Sequence, residues 1–344
     1  MKKFAAILTA LMILMLSVNA GVIKKAKTEV SFAKFGKLTM VQEERVTDLK
    51  KETFTDSKFK GKGIMGRLAG KFALKSGVKG EIIDLQEMLI YSLDHKKKEY
   101  RVRPIEKIDL EAGELGKTQA TEETAQEEQP EEPSDIKITR NEFKVKDTGE
   151  KKTINGFLCR RYEITWLLGW ENVRTGEKGT NRLITTVWTT PLEGAVKQSF
   201  EEESKFQQNY MKKIGLEIDL QQQEILGSNW LALLMQMDQE GEAPSQEMST
   251  FAGEMKKIKG YPILVDGKYY QTKEGGPAEE AEEEGGGVKK MFGGFAKKAL
   301  KKSLSRKKKG NEPAFTYYLE VLELQPAPIT PETITVPAGY KKKD

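Results

Sequence analysis

Apolar residues recur at every second position along much of this chain, and that alternation constrains the fold more than any other feature. Val30 and Phe32, Leu38 and Met40, and Tyr100 and Val102 show it early; Ile136 and Ile138, Phe143 and Val145, then Phe315, Tyr317, Leu319 and Val321 show it later. Successive side chains of a strand point to opposite faces, so a period of two in β-branched and aromatic types marks strands that bury one face. The strand pairs around short polar turns, such as Leu89–Leu93 and Glu99–Arg103 flanking Asp94–Lys98, read as antiparallel.

Helical spacing takes over in the middle of the chain. Val196, Phe200, Phe206, Tyr210, Met211 and Ile214 fall on one side of a helix, with Glu201, Glu202, Glu203, Lys205 and Lys212 mostly outside it. A second apolar-rich helix is expected from about Leu220 to Met237, and Met248, Phe251, Ala252, Met255 and Ile258 form a third stripe. Gly260-Tyr261-Pro262 stops that stripe before a strand from Ile263 to Tyr270. Lys60 to Gly80 is rich in Gly and Lys, with Ile64, Met65, Leu68, Phe72 and Leu74 at near-helical intervals.

Two low-complexity stretches, at about 111–135 and 272–313, hold too little apolar surface to offset the entropy of ordering. Subtracting them leaves a single domain, 21–344, with flexible insertions. Its most informative segment is Asn155 to Trp166. Phe157 and Cys159 share one parity while Tyr162, Ile164 and Trp166 share the other, so a β-bulge near Arg160-Arg161 is expected to restore one buried face. Asp147-Thr148-Gly149 reads as a turn, Arg182 to Thr190 as a returning strand with Ile184, Thr186 and Trp188 on one side, and Ile334 to Tyr340 as a last short strand and turn.

The first twenty residues place the protein. Lys2 and Lys3, an apolar run from Phe4 to Leu16 too short to span a bilayer, and the small residues Val18 and Ala20 match a secretory signal cut before Gly21. Export to the periplasm or beyond is the expectation. No Cys follows the cut, so no lipid anchor is expected. Cleavage removes Lys2 and Lys3 from a formal charge of +5, and what remains is too small to argue for a polyanion.

Chemistry-bearing residues are sparse. Cys159 is the only cysteine, which excludes an internal disulfide and reads as a small buried hydrophobe. His95 is the only histidine, set in the lysine-rich turn Asp94–Lys98, where it reads as solvated. No Ser-His-acid arrangement or metal cluster is visible, so neither catalysis nor a cofactor is expected. Gly61-Lys62-Gly63-Ile64-Met65-Gly66 satisfies G-x-G-x-x-G, but a dinucleotide site also needs a βαβ context that antiparallel strands do not give; a Gly-rich loop is expected instead. Segments 65–76 and 291–303 resemble each other, mixing Lys with Met, Phe, Leu and Ala as helices on anionic bilayers do. Lys297, Lys298, Lys301 and Lys302 are the membrane-surface candidates. Nucleic acid is excluded as a target by export and by the glutamates beside the second segment.

Four short stretches occur in an informative order: Ile154-Asn155-Gly156-Phe157-Leu158-Cys159-Arg160-Arg161-Tyr162, Val187-Trp188-Thr189-Thr190-Pro191, Lys259-Gly260-Tyr261-Pro262 and Val336-Pro337-Ala338-Gly339-Tyr340. In these the chain resembles a family of secreted bacterial proteins described as a domain of unknown function, similar in architecture to periplasmic lipoprotein carriers of the LolA and LolB type. The resemblance implies an α+β fold: a strongly curved antiparallel sheet, an incomplete barrel covered by helices, with an apolar cavity between. The two insertions and the internal helical block depart from the carriers, and no functional residue transfers. The function expected on this scaffold is non-enzymatic binding of an apolar ligand, a lipid, acyl chain or lipoprotein segment; from the chain's own apolar residues, Tyr162, Ile164, Trp166, Trp188 and Phe200 are expected as the cavity wall. The alternative is an envelope interaction protein with a solid core whose charged insertions meet a partner or a membrane surface.

Overall fold

The computed structural model describes residues 21–33, 35–72, 76–107, 136–215, 251, 253–274 and 312–343. The chain first lays down β1 (Gly21–Phe32), β2 (Gly36–Thr47) and β3 (Lys50–Gly61), then helix α1 (Gly63–Phe72), then β4 (Gly77–Asp84), β5 (Leu89–Asp94) and β6 (Glu99–Pro104). It continues with β7 (Ile136–Ile154), β8 (Phe157–Asn172), β9 (Lys178–Thr190), helix α2 (Gly194–Lys213), β10 (Tyr261–Glu274) and β11 (Phe315–Ala327). A 3-10 turn (Pro331–Thr333) and the two-residue β12 (Lys341–Lys342) close it.

All twelve strands join one sheet in the order β12-β6-β5-β4-β3-β2-β1-β11-β10-β9-β8-β7. Two meanders, β1 to β6 and β7 to β11, are joined where β1 pairs with β11 from Gly21↔Ala327 to Phe32↔Phe315. Every pairing is antiparallel except that of β12 with β6. The expected strongly curved, incomplete barrel is therefore corrected: the sheet is open and not strongly curled, and β12 and β7 lie at its opposite ends. Helix α2 does not shut an open flank but lies across the mid-sheet strands β1, β2 and β11. Barrel closure depends on shear and tilt between strands, whereas alternation is a property of each strand alone, so the sequence pattern carried no curvature.

Three apolar clusters hold the layer. One takes in Cys159, Trp188 and Leu264 and continues through Tyr261 and Ile263 to Val22, Val46, Phe206 and Ile214. A second packs Val145, Tyr162, Ile164, Leu183, Val187 and Val265 with Ile258, Phe315 and Tyr317. In the third, Ile329 and Ile334 of the C-terminal tail cover Ile82 and Leu93.

Local expectations are corrected in instructive ways. Strand β8 runs unbroken, and the irregularity lies across from it on β7, between Asp147, opposite Tyr162, and Lys151, opposite Arg160. What reads as a turn at Asp147-Thr148-Gly149 is that bulge, with Gly149 at φ +75°. Trp188 pairs with Arg161, on the parity of Cys159, while Val187 pairs with Tyr162, so β8 is buried on both faces and needs no bulge of its own. On β9 the deeper face is Leu183, Thr185 and Val187, not Ile184 and Thr186. The tail residues Ile334 to Tyr340 form no strand; β12 follows them.

Helix α2 buries the side expected from its spacing, with Phe206 and Ile214 fully inside and Val196, Phe200, Tyr210 and Met211 packed beside them. Lys212 and Lys213 in its last turn complement the helix dipole, and Asn209 Nδ2 donates to Asp48 O at 2.8 Å, fixing the helix to the β2–β3 turn. The proposed signal at 1–20, the expected helix from Leu220 to Met237, and Lys297, Lys298, Lys301 and Lys302 lie outside the described residues, as does nearly all of both insertions; β10 extends to Glu274, inside the expected start of the second.

Candidate functional site

The strands β2 to β6 put alternate side chains on one face, and there they enclose a groove of about 750 Å³. Register explains its lining. Glu44 pairs with Thr53, Thr53 with Glu81, Glu81 with Ser92 and Ser92 with Arg101, so one row of side chains crosses five strands. A parallel row runs Gln42, Thr55, Lys79, Asp94 and Glu99.

Charges of both signs border this face. Lys51 and Lys79 meet Glu44 and Asp94 at 2.9 and 2.8 Å, and Lys343 from the tail reaches Glu99 at 3.4 Å. Glu81 and Arg101 make no ion pair among the described residues, although two strand spacings, about 10 Å, separate them across Ser92. Gln42, Thr53, Thr55 and Ser92 likewise have no protein hydrogen-bond partner for their side chains among the described residues. The groove therefore offers hydroxyl and amide groups between a carboxylate and a guanidinium that make no ion pair among the described residues, beside the apolar side chains of Ile83, Leu93 and Tyr100.

One end of the groove is fixed by a partly buried ionic cluster. Lys24 Nζ donates to Glu203 Oε1 at 3.1 Å and lies 3.9 Å from Glu44, while Tyr261 Oη donates to Glu203 Oε2 at 2.8 Å. Burial works against the Lys24 charge, but Glu203, Tyr261 and Glu44 outweigh it and hold the ammonium well above the ordinary lysine value. Burial likewise opposes the Glu44 charge, yet Lys51 and Lys24 draw its pKa down to about 2. Tyr261 is raised by its burial and by Glu203. This cluster links α2 to β1, β2 and β10, which is structural work.

The expected cavity wall does not gather. Tyr162, Ile164 and Trp166 belong to the second cluster and Trp188 and Phe200 to the first; β8–β9 register puts Tyr162 and Trp188 on opposite sheet faces. Tyr162 and Ile164 are 2% and 0% exposed and packed against the neighbours of the second cluster. Cys159 is buried, and burial pushes its thiol up to about 11, far from a nucleophile's range. His95 occupies the expected turn but is not simply solvated: Nδ1 lies 2.7 Å from Tyr340 Oη, the ring rests near Phe54, and Nε2 is buried without a partner. A Cβ on Gly80 would sit 2.5 Å from Nε2, so that glycine makes room for the ring.

The G-x-G-x-x-G run does join a strand to a helix, β3 to α1. The next strand, β4, is antiparallel to β3, so the parallel crossover of a dinucleotide site is missing. Among the described residues no three metal-ligating side chains converge. The groove itself escaped sequence reading because its members are Thr, Ser, Gln and common charged residues spread over five strands; the polar parity of β3 to β6 was the one signal that pointed to it. No protein family, curated protein or solved structure matches the chain.

Proposed function

We propose that the chain is a non-enzymatic interaction protein of the cell envelope, with a solid sheet whose β2–β6 face receives a polar partner segment carrying charges of both signs. Export rests on the pattern of the first twenty residues. The observation that carries the rest is the groove, where Glu81 and Arg101 make no ion pair among the described residues and share the sheet face with Thr53, Thr55, Ser92 and Gln42. The apolar-ligand reading drew on a curved sheet with an apolar cavity; with that scaffold corrected and the expected wall packed, the polar face is the better supported surface.

Two measurements test this. The chain from Gly21 onward, which contains every described element, is purified from its host, extracted with organic solvent and examined by mass spectrometry, alongside titration with an apolar fluorophore. No co-purified lipid and no saturable uptake are expected, and finding both would return the protein to the carriers. In the host envelope, a photocrosslinking residue at Ser92 or Thr53 is expected to capture a partner that the same residue at Glu150, on β7, does not. Equal capture at all three positions, or capture at Glu150 alone, would remove the groove from the proposal.

A further inference from the structure

Helix α1 turns two of its large aliphatic residues away from the sheet. Gly66 is buried and Gly70 half-buried; a Cβ on Gly66 would lie 2.0 Å from Phe35 O, and one on Gly70 would lie 3.0 Å from the Phe59 ring. The helix thus docks through its glycines onto Phe59 and the chain at Phe35, whose rings are 5.7 Å apart. Ile64 and Leu68, four residues apart and roughly opposite the glycines, point outward at 72% and 46% exposure. An ordinary surface helix turns such residues toward its sheet.

The stretch that carries this ridge has charge of one sign, although Lys58 pairs with Asp56 of β3 at 3.5 Å and Lys62 Nζ donates to Ala33 O at 3.4 Å. From Lys58 to Lys71 the chain carries Lys58, Lys60, Lys62, Arg67 and Lys71 and no acidic residue. Lys60 and Arg67 are exposed, and Arg67 Nε donates to the Gly63 carbonyl at 3.2 Å. At ten residues α1 is far too short to cross a bilayer, and no helix among the described residues is long and apolar enough to do so. An exposed apolar ridge flanked by cations is complementary to the headgroup region of an anionic bilayer, where aliphatic side chains enter the acyl boundary and cations meet lipid phosphates.

We propose that α1 docks this protein on an anionic membrane surface, with Ile64 and Leu68 inserted and Lys60, Lys62 and Arg67 at the headgroups. The proposal stands independently of the groove, which lies on a face of β2–β6 and contains no residue of α1.

The chain from Gly21 onward is sedimented with vesicles of phosphatidylcholine containing phosphatidylglycerol, and with vesicles of phosphatidylcholine alone. Binding to the anionic vesicles is expected to weaken as salt rises, and Ile64→Asp with Leu68→Asp is expected to reduce it by about tenfold or more, with the unfolding midpoint unchanged because both side chains are already exposed. In a second measurement, Leu68→Cys is labelled with an environment-sensitive dye, the buried Cys159 remaining unlabelled, and the emission is expected to shift to the blue on anionic vesicles only. Failure of the unaltered chain to bind anionic vesicles overturns the proposal. So does equal binding by the double variant, which would place attachment elsewhere in the chain, or self-association through α1 with no vesicle binding.

Discussion

At the scale of single residues, the ionic cluster at the middle of α2 makes stability depend on pH in a defined direction. Glu44 titrates at about 2 in the folded chain against 4.5 for the free side chain. A depressed carboxylate contributes its stability above the unfolded value and loses it as pH falls toward the folded one, so the loss falls between about pH 4.5 and 2. The effect is on the order of 3 kcal/mol, and Glu44→Gln is expected to flatten that limb of a plot of melting temperature against pH. Tyr261→Phe removes the hydroxyl that donates to Glu203 and is expected to cost about 1 kcal/mol in urea unfolding. Cys159, 1% exposed, is expected to react with a maleimide only after denaturation. Its burial was legible from composition, because a lone cysteine usually packs as a small hydrophobe. The engagement of His95 was not, because Tyr340 lies far along the chain and no local pattern links the two.

At the scale of elements, the exposed edge of β7 shows how a nineteen-residue strand is kept from pairing with another copy. Lys137, Lys144, Lys146, Lys151 and Lys152 are exposed along it, and the bulge between Asp147 and Lys151 breaks its regular row of backbone groups. At its centre the Val145 amide donates to Glu254 Oε2 at 2.7 Å, so one edge position is capped from the segment before β10. Glu254→Ala frees that amide and is expected to cost about 1 kcal/mol and to raise light scattering at high protein concentration. Helix α1 carries a parallel lesson. The spacing of Ile64, Leu68 and Phe72 is near-helical, but the glycines favoured a loop over Gly61–Gly66, where the structure starts a helix at Gly63; its orientation was not legible either, because periodicity identifies an apolar face without saying whether the partner is sheet or solvent. Close approach to Phe35 O at Gly66 decided that outcome.

At the scale of the whole molecule, the two meanders are held together by pairings between distant parts of the chain. The tail does comparable work: Ile329, Ile334, Val336 and Tyr340 cover Ile82, Leu93, Tyr91 and Tyr100, and β12 then pairs with β6 through its amide contacts to Lys98 and Tyr100. Ending the chain at Ala327 is expected to expose that cluster, costing several kcal/mol by urea unfolding and promoting aggregation; unchanged stability would show the tail to be dispensable. The sequence by itself determined where most strands and the packed helix α2 form, which residues of α2 turn inward, and that chemistry-bearing side chains are few, because these follow from local periodicity and composition. Only the tertiary structure decided that the sheet stays open, that β8 is buried on both faces, that α1 presents Ile64 and Leu68 outward, and that Glu81 and Arg101 share one polar groove. Each of these depends on which distant strands pair and in what register, and neither is written into any one strand's alternation.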